Sequence, residues 1–207
     1  TTVNWRIYTF IQKGILKRIG RGKFTLGEGK NYIPEISTAT KRIFKKLKAE
    51  FPYTNLCVWN TSVLNEFMLH QPNQFFVLVE TDKETTNAVF YFLREIKKSV
   101  FIEPTKDILE KYVVNESEVF IIKPLVTEAP TQNINGVETA SIEKMLVDIF
   151  CDDVIFSAQQ GSGMRTIFKN AFDKYTINQN KMLRYADRRS KKQELNQFVK
   201  TISNLWQ

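Results

Sequence analysis

The chain has 207 residues, 43% of them apolar, which is enough for one good core and a smaller appendage and predicts two unequal domains. No run of about 18 apolar residues occurs, and the N-terminus lacks the charged-then-apolar pattern of a secretory leader, so we expect a cytoplasmic protein without a membrane span. The formal net charge is +8, and residues 1–50 contain 12 Lys and Arg against three Glu, whereas the remainder is close to neutral.

The positive charge concentrated in residues 1–50 indicates a segment that binds a polyanion. Neutralised phosphates release their counterions, and this release supplies most of the non-specific affinity of proteins for nucleic acids. A solvated surface that carries excess lysines is the alternative explanation, and charge alone does not separate the two.

The N-terminal residues have the pattern of a short helix followed by two strands. The apolar residues that recur at the spacing of one buried helix face are Val3, Ile7, Phe10 and Ile11. Gly14 is placed to end this helix in a left-handed cap. Short strands over residues 15–19 and 23–26 then flank the turn Gly20-Arg21-Gly22.

Helix, strand, cationic glycine turn and strand form the second half of a winged helix-turn-helix, in which the helix enters the major groove and the wing reaches phosphates or the minor groove. We therefore predict a partial winged-helix DNA-binding segment over residues 1–30. The side chains expected to contact DNA are Thr2, Trp5, Arg6, Thr9, Lys13, Lys17, Arg18, Arg21 and Lys23. The alternative is an ordinary helix–hairpin unit with a basic surface. A complete winged helix has two earlier helices, and because the chain starts at Thr1 we expect that an upstream part was removed.

Glycine and proline residues mark a break after the predicted wing. They predict a linker over about residues 26–36 and a second domain over residues 37–207. The first helix of that domain is expected over residues 38–50, with Ser37 or Thr38 as its cap. This helix is rich in lysine, and it either extends the basic surface or presents a merely solvated face.

From residue 55 onward, β-rich runs alternate with helical runs, which predicts α/β layers. The expected strands cover residues 56–59, 75–80, 100–102 and 119–122. The expected helices cover residues 62–69, 84–98, 141–150, 164–172, 178–189 and 194–205, and residues 124–136 are interpreted as a loop or an irregular hairpin. The predicted fold class is therefore α+β or α/β: a partial winged helix, then an α/β domain with a helical C-terminal third.

A cationic run near the C-terminus places Arg184, Arg188 and Lys192 at i, i+4 and i+8 of one predicted helix. Such a row is suited to contact a phosphate or the acidic surface of a partner. It is also typical of a solvated face, with Asp187 and Glu194 as ion-pair partners that contribute little.

Patterns for catalysis or metal binding are weak. Glu80, Asp82 and Lys83 follow a predicted strand and are residue types that hold Mg²⁺ in nucleases, but they are also ordinary residues of a strand-to-helix loop. The single histidine, His70, and the two cysteines are far apart, so neither a zinc site nor a disulfide framework is expected. We predict no catalytic residue, no metal and no cofactor.

Two segments, in the same order, carry a family resemblance. Residues 14–26 contain a glycine, a basic strand and an arginine-glycine pair before an aromatic residue. Residues 140–148 read ASIEKMLVD, with a Glu-Lys pair and a following Leu and Asp. Both segments resemble the AbiE-type abortive-infection antitoxins, bacterial regulators of type IV toxin–antitoxin systems, the first in the wing and the second in a helix of the second domain.

The resemblance implies a winged-helix domain that represses its own operon and a C-terminal domain that neutralises a nucleotidyltransferase-like toxin encoded beside it. The absent first helices and the long middle segment depart from that pattern. The leading hypothesis is a non-catalytic DNA-binding transcriptional regulator, an antitoxin or autorepressor whose partner is duplex operator DNA. The alternatives are a protein-interaction module that neutralises a nucleotidyltransferase-like partner without binding DNA, and a Mg²⁺-dependent nuclease.

Overall fold

The computed structural model describes residues 2–12, 15–20, 22–26, 30–113 and 116–204. The N-terminal part contains helix α1 (Thr2–Gln12) and an antiparallel ribbon formed by β1 (Leu16–Gly20) and β2 (Lys23–Leu26). Gly22 lies in the turn of the ribbon with a φ of +69°, a conformation that glycine adopts without strain. The predicted helix and both predicted strands are confirmed.

The apolar side of α1 is not buried as its spacing predicted. Val3 is 69% exposed and Phe10 is 41% exposed, whereas Ile7 and Ile11 are half-buried. The described neighbour of α1 is β1, and a two-stranded ribbon has little apolar surface with which to cover a helix.

The larger part of the chain, here called the body, comprises residues 30–113 and 116–204. Its sheet is formed by β3 (Leu56–Asn60), β4 (Phe76–Thr81), β5 (Val100–Ile102) and β6 (Val119–Pro124), and a hairpin by β7 (Thr131–Ile134) and β8 (Val137–Ala140). Its helices are α2 (Thr38–Glu50), α3 (Thr86–Ile96), α4 (Lys106–Tyr112), α5 (Ile142–Cys151), α6 (Ser162–Lys174), α7 (Gln179–Arg188) and α8 (Lys192–Asn204).

The strands of the sheet are arranged in the order β3-β4-β6-β5. β3 is antiparallel to β4, whereas β4, β6 and β5 are parallel to one another. In the register of the two central strands, Leu78 of β4 pairs with Ile121 of β6. These strands are almost continuously apolar because helices cover both of their faces.

Each face of the sheet carries its own helical layer. On one face, α2 and α3 pack against side chains that include Val58 and Val79. On the other face, α5, α6, α7 and α8 pack against side chains that include Trp59 and Leu78. Successive strand residues point to opposite faces, so neighbouring residues serve different cores. The fold is α+β, with a mixed sheet and a helical C-terminal region, as the sequence predicted.

The position of the ribbon follows from its contacts. β1 contacts α7, which belongs to the layer of C-terminal helices. The ribbon therefore lies on the side of the body opposite to α2 and α3.

Residues 30–36, which the sequence placed in a linker, pack against the body instead. Tyr32 and Pro34 are buried, and the ring of Tyr32 lies 5.0 Å from that of Tyr175 and 5.6 Å from that of Phe67. The linker prediction is wrong for this stretch because its alternate residues are apolar, and an extended chain turns alternate residues to one side.

Three further elements differ from their predictions. Residues Thr61–Phe67 form a 3-10 helix rather than an α-helix, α4 was not predicted, and the stretch before α5 forms the hairpin that was one of two interpretations. Both cysteines are free: Cys57 is buried and Cys151 is half-buried. Within the described ranges, no helix is both long enough and apolar enough to cross a membrane.

Candidate functional site

The sequence predicts DNA contacts on one side of α1, and the structure leaves two of these side chains open to solvent. Trp5 is 67% exposed, and Arg6 beside it is exposed as well. The hydroxyl of Thr9 instead donates a hydrogen bond to the backbone carbonyl of Trp5 at 2.9 Å, within the same helix. The open side of α1 therefore presents an indole and a guanidinium.

The other predicted DNA contacts belong to the ribbon and its surroundings. Lys23, at the start of β2, is exposed. The predicted side chains that lie outside the described part of the structure are Thr2, Lys13, Lys17, Arg18 and Arg21. We call Trp5, Arg6 and Lys23 the N-terminal surface.

α2 presents a second cationic surface, on the body. Its apolar side packs against the sheet, and its other side carries four of its five cations, while the fifth, Lys48, donates to the backbone carbonyl of Thr54 at 2.8 Å. This α2 surface consists of Lys41, Arg42, Lys45 and Lys46. Among the residues that the structure describes, no carboxylate forms an ion pair with any of these four, Glu50 one turn after Lys46 included.

The predicted cationic row of α7 and α8 is engaged in ion pairs. Arg188 donates to Glu128 at 2.9 Å, and Nε of Arg184 lies 3.4 Å from the same carboxylate. The hydrogen bond from Arg188 lowers the pKa of Glu128 below its ordinary value. Lys192 pairs with Asp187 at 3.2 Å. Exposed pairs of this kind contribute little to stability, and they neutralise part of the positive charge of the row.

Charged side chains buried between β4 and α5 form a cluster that the sequence analysis did not predict. The ammonium of Lys144 lies 2.5 Å from a carboxylate oxygen of Glu80 and 2.5 Å from one of Asp148. Glu80 also accepts a hydrogen bond from the indole N–H of Trp59 at 3.2 Å, and Asp148 accepts one from the hydroxyl of Tyr185 at 2.8 Å. All five side chains are buried.

The charges of this cluster hold one another in the ionised form. Burial alone would lower the pKa of Lys144, but the carboxylates of Asp148 and Glu80 raise it well above its ordinary value. Burial would likewise raise the pKa of Asp148, but Lys144, Lys123 and Arg189 lower it. Arg189 also lies 2.9 Å from Asp148. We call Glu80, Lys144, Asp148 and Arg189 the buried charge cluster; it joins the sheet to α5 and to the end of α7.

The buried charge cluster explains the physical role of residues 140–148. Within residues 140–148, Lys144 and Asp148 face the cluster, while Glu143 accepts from the Ser141 hydroxyl at 2.7 Å and from the backbone N–H of Asn178 at 3.0 Å. These polar residues fix α5 inside the body. The signal in the sequence is a Lys and an Asp at i and i+4 in a helix whose other residues, apart from Glu143, are apolar.

The residues considered for a Mg²⁺ site are held by other groups. Glu80 belongs to the buried charge cluster, and Asp82 accepts from the backbone N–H of Asn55 at 2.9 Å and from its side-chain amide at 3.0 Å. Lys83 is exposed. In the described ranges, no three His, Cys, Asp or Glu side chains are grouped so that they could hold a metal ion.

A cleft of about 640 Å³ opens where the parallel strands β4 and β6 end, which is where α/β sheets commonly bind ligands. The carboxylates that line it are already bonded: Asp82 to Asn55, Glu128 to Arg184 and Arg188, and Glu138 to Thr131 and Asn133. This bonding indicates no particular ligand.

Comparison with known proteins places the chain in a family. No curated protein is similar enough to the chain to count as a match. A family model matches residues 2–205, so the match spans the N-terminal segment and the body together. The chain therefore belongs to DUF6577, a family of unknown function.

Proposed function

We propose that the protein is a DNA-binding transcriptional regulator, in which α1 and the ribbon contact duplex DNA and the body binds a protein partner. One observation carries the proposal: an exposed helix is followed by a ribbon with a glycine in its turn, and this segment is strongly cationic, with seven Lys and Arg against one Glu in residues 1–30.

The chemistry of the N-terminal surface suits a duplex. A guanidinium such as that of Arg6 forms paired hydrogen bonds with guanine or with a phosphate, and an exposed ammonium such as that of Lys23 neutralises a phosphate. Gly22 carries no side chain at its own position in the turn, so the backbone there can approach the sugar-phosphate chain closely.

The resemblance to AbiE-type antitoxins refines the proposal. Residues 14–26, which resemble the wing, include both strands of the ribbon, and residues 140–148 include most of α5 at the centre of the body. On this basis the protein acts as antitoxin or autorepressor of a type IV toxin–antitoxin system, and its body neutralises a nucleotidyltransferase-like toxin. Such a role requires no catalytic residue in this chain.

The test compares a double variant of the ribbon, Arg21→Ala with Lys23→Ala, with a matched variant on α6, Arg165→Ala with Lys169→Ala. The affinity for a duplex from the promoter of its own operon is measured at several salt concentrations. We expect the ribbon variant to bind more weakly, with a salt slope reduced by about 0.9 for each lost phosphate contact, and the α6 variant to bind like the unmodified chain. Unchanged affinity and slope in the ribbon variant would remove the ribbon from the proposal.

A second candidate function is a protein-interaction module that does not bind DNA. The exposed apolar residues Val3 and Phe10, seven positions apart on one side of α1, favour it, because exposed apolar surface marks protein contacts. The variant Val3→Ser with Phe10→Ser separates the candidates. The second function would be favoured if this variant no longer binds the product of the neighbouring gene and if the unmodified chain does not bind duplex DNA.

A further inference from the structure

We propose that the α2 surface (Lys41, Arg42, Lys45 and Lys46) is a separate contact for the phosphate backbone of nucleic acid. This inference goes beyond the proposed function, which requires only the N-terminal surface. It concerns the opposite face of the body and is tested independently of the proposed function.

The four cations project from a helix that is firmly fixed. Leu47 is fully buried, and Ile43 and Phe44 are buried beside it against the sheet. The start of α2 is capped by Ser37, whose hydroxyl oxygen accepts from the backbone N–H of Thr40 at 3.1 Å. The spacing of the cations is therefore set by the helix, and little backbone freedom is lost when a ligand binds.

The charges of the α2 surface repel one another. Lys41 and Lys45, and likewise Arg42 and Lys46, are four residues apart, so their Cβ atoms lie roughly 5–6 Å from each other on the helix surface. Like charges at this spacing destabilise a helix. On α7 the neighbouring arginines share Glu128, but the described carboxylates offer the α2 surface no such partner. A row of phosphates would relieve this repulsion.

The composition of α2 favours nucleic acid over an acidic protein as the occupant. Apart from the cations, its exposed positions are Thr38, Ala39, Ala49 and Glu50, which provide no aromatic or large apolar anchor. Protein interfaces depend on such anchors and are poor in lysine, whereas lysine and arginine suffice for contacts with phosphates.

The α2 surface and the ribbon lie on opposite sides of the sheet. α2 packs on one face, and β1 contacts α7, which packs on the other. The α2 contact is therefore separate from the contact proposed for the ribbon, and we expect it to persist when the ribbon is altered.

The test uses the full chain with four substitutions on α2: Lys41→Gln, Arg42→Gln, Lys45→Gln and Lys46→Gln. The matched control changes the same residue types at exposed positions outside α2: Lys98→Gln, Arg165→Gln, Lys169→Gln and Lys200→Gln. The affinity for a labelled random-sequence duplex is measured by fluorescence anisotropy against salt concentration. We expect the α2 variant to lose about 3 to 4 units of salt slope and at least about ten-fold in affinity at low salt, and the control to lose less than about one unit.

Equal losses in the α2 variant and in the control would overturn the inference. So would equal competition by poly-glutamate and by the duplex at matched charge, because this result would assign the surface to an acidic protein. The ribbon variant separates this inference from the proposed function. If only the ribbon variant loses affinity for the duplex, the proposed function is supported and the α2 contact is overturned. If only the α2 variant loses affinity, the α2 contact is supported and the ribbon is removed from the proposed function. Circular dichroism checks that each variant is folded. If the quadruple variant unfolds, the double variant Arg42→Gln with Lys46→Gln takes its place, and we expect it to lose about two units of salt slope.

Discussion

The ammonium of Lys144 lies 2.5 Å from the carboxylate of Asp148, one turn later on α5, and both side chains are removed from solvent. Lys144 also binds Glu80 of β4, and Asp148 also binds Tyr185 of α7. The pair thus connects the central sheet to the C-terminal helices. Buried charges are tolerated when each one faces an opposite charge and its remaining hydrogen bonds are made, as they are here.

Replacing Lys144 by Met should lower the free energy of unfolding by about 3–5 kcal/mol, because Glu80 and Asp148 would remain buried without their cation. Urea denaturation measures the change. The matched control is Lys106→Met, which removes the cation of an exposed pair with Glu110 and should cost at most about 1 kcal/mol. The triple variant Glu80→Gln, Lys144→Met and Asp148→Asn should recover part of the loss. Equal costs for the two lysine variants would contradict this account.

The stability of the protein should fall in acid through Asp148. Its pKa is lowered in the folded protein, so its contribution is present above the ordinary value of 3.8 and is lost as the pH falls below that value towards the lowered pKa. Asp148→Asn should therefore be less stable at neutral pH. Its free energy of unfolding should also change less with pH below about pH 4 than that of the unmodified chain. Asp153→Asn, at an exposed position, is the matched control. If the free energy of unfolding of Asp148→Asn falls as steeply in acid as that of the unmodified chain, groups other than Asp148 cause the loss of stability.

The backbone at Glu128 predicts an unusual order among substitutions. Glu128 has a φ of +60°, in the left-handed region that disfavours residues with a Cβ atom. Glu128→Gly and Glu128→Ala both lose the ion pairs with Arg184 and Arg188, so the difference between them reports the backbone alone. Thermal denaturation should show the glycine variant to be more stable by about 1 kcal/mol. Greater stability of the alanine variant would contradict the observed conformation.

Both thiols should be unreactive in the folded protein. Burial raises the pKa of Cys151 to about 11 and that of Cys57 well above its ordinary value, so little thiolate exists at neutral pH. A chromogenic disulfide reagent at pH 7.5 should label neither thiol within minutes, and it should label both in urea. Rapid labelling of one thiol in the native protein would mean that its surroundings are more open than described.

The local pattern of the sequence predicted most helices and strands of the body. The cap of α2 at Ser37 and its apolar residues Ile43, Phe44 and Leu47 lie where the spacing indicated, because a single amphipathic helix is encoded within its own residues. The short α4 was missed because seven residues contain too few turns for a clear period.

Long-range contacts were not predictable from local patterns. Glu80 and Lys144 are 64 residues apart, and nothing near either residue indicates the other. The local pattern at Glu80 is therefore also compatible with a metal ligand, whereas the structure places Glu80 against a lysine. The burial of Tyr32 against Tyr175 likewise depends on two distant segments, which is why its surroundings were interpreted as a linker.

The central claim, that the chain binds duplex DNA through its cationic N-terminal segment, is tested most directly by titrating the unmodified protein into a labelled promoter duplex at stepwise salt concentrations. The account predicts measurable binding at about 50 mM salt, which weakens steeply towards about 200 mM because counterions are released on binding. Absence of binding at the lowest salt concentration would contradict it.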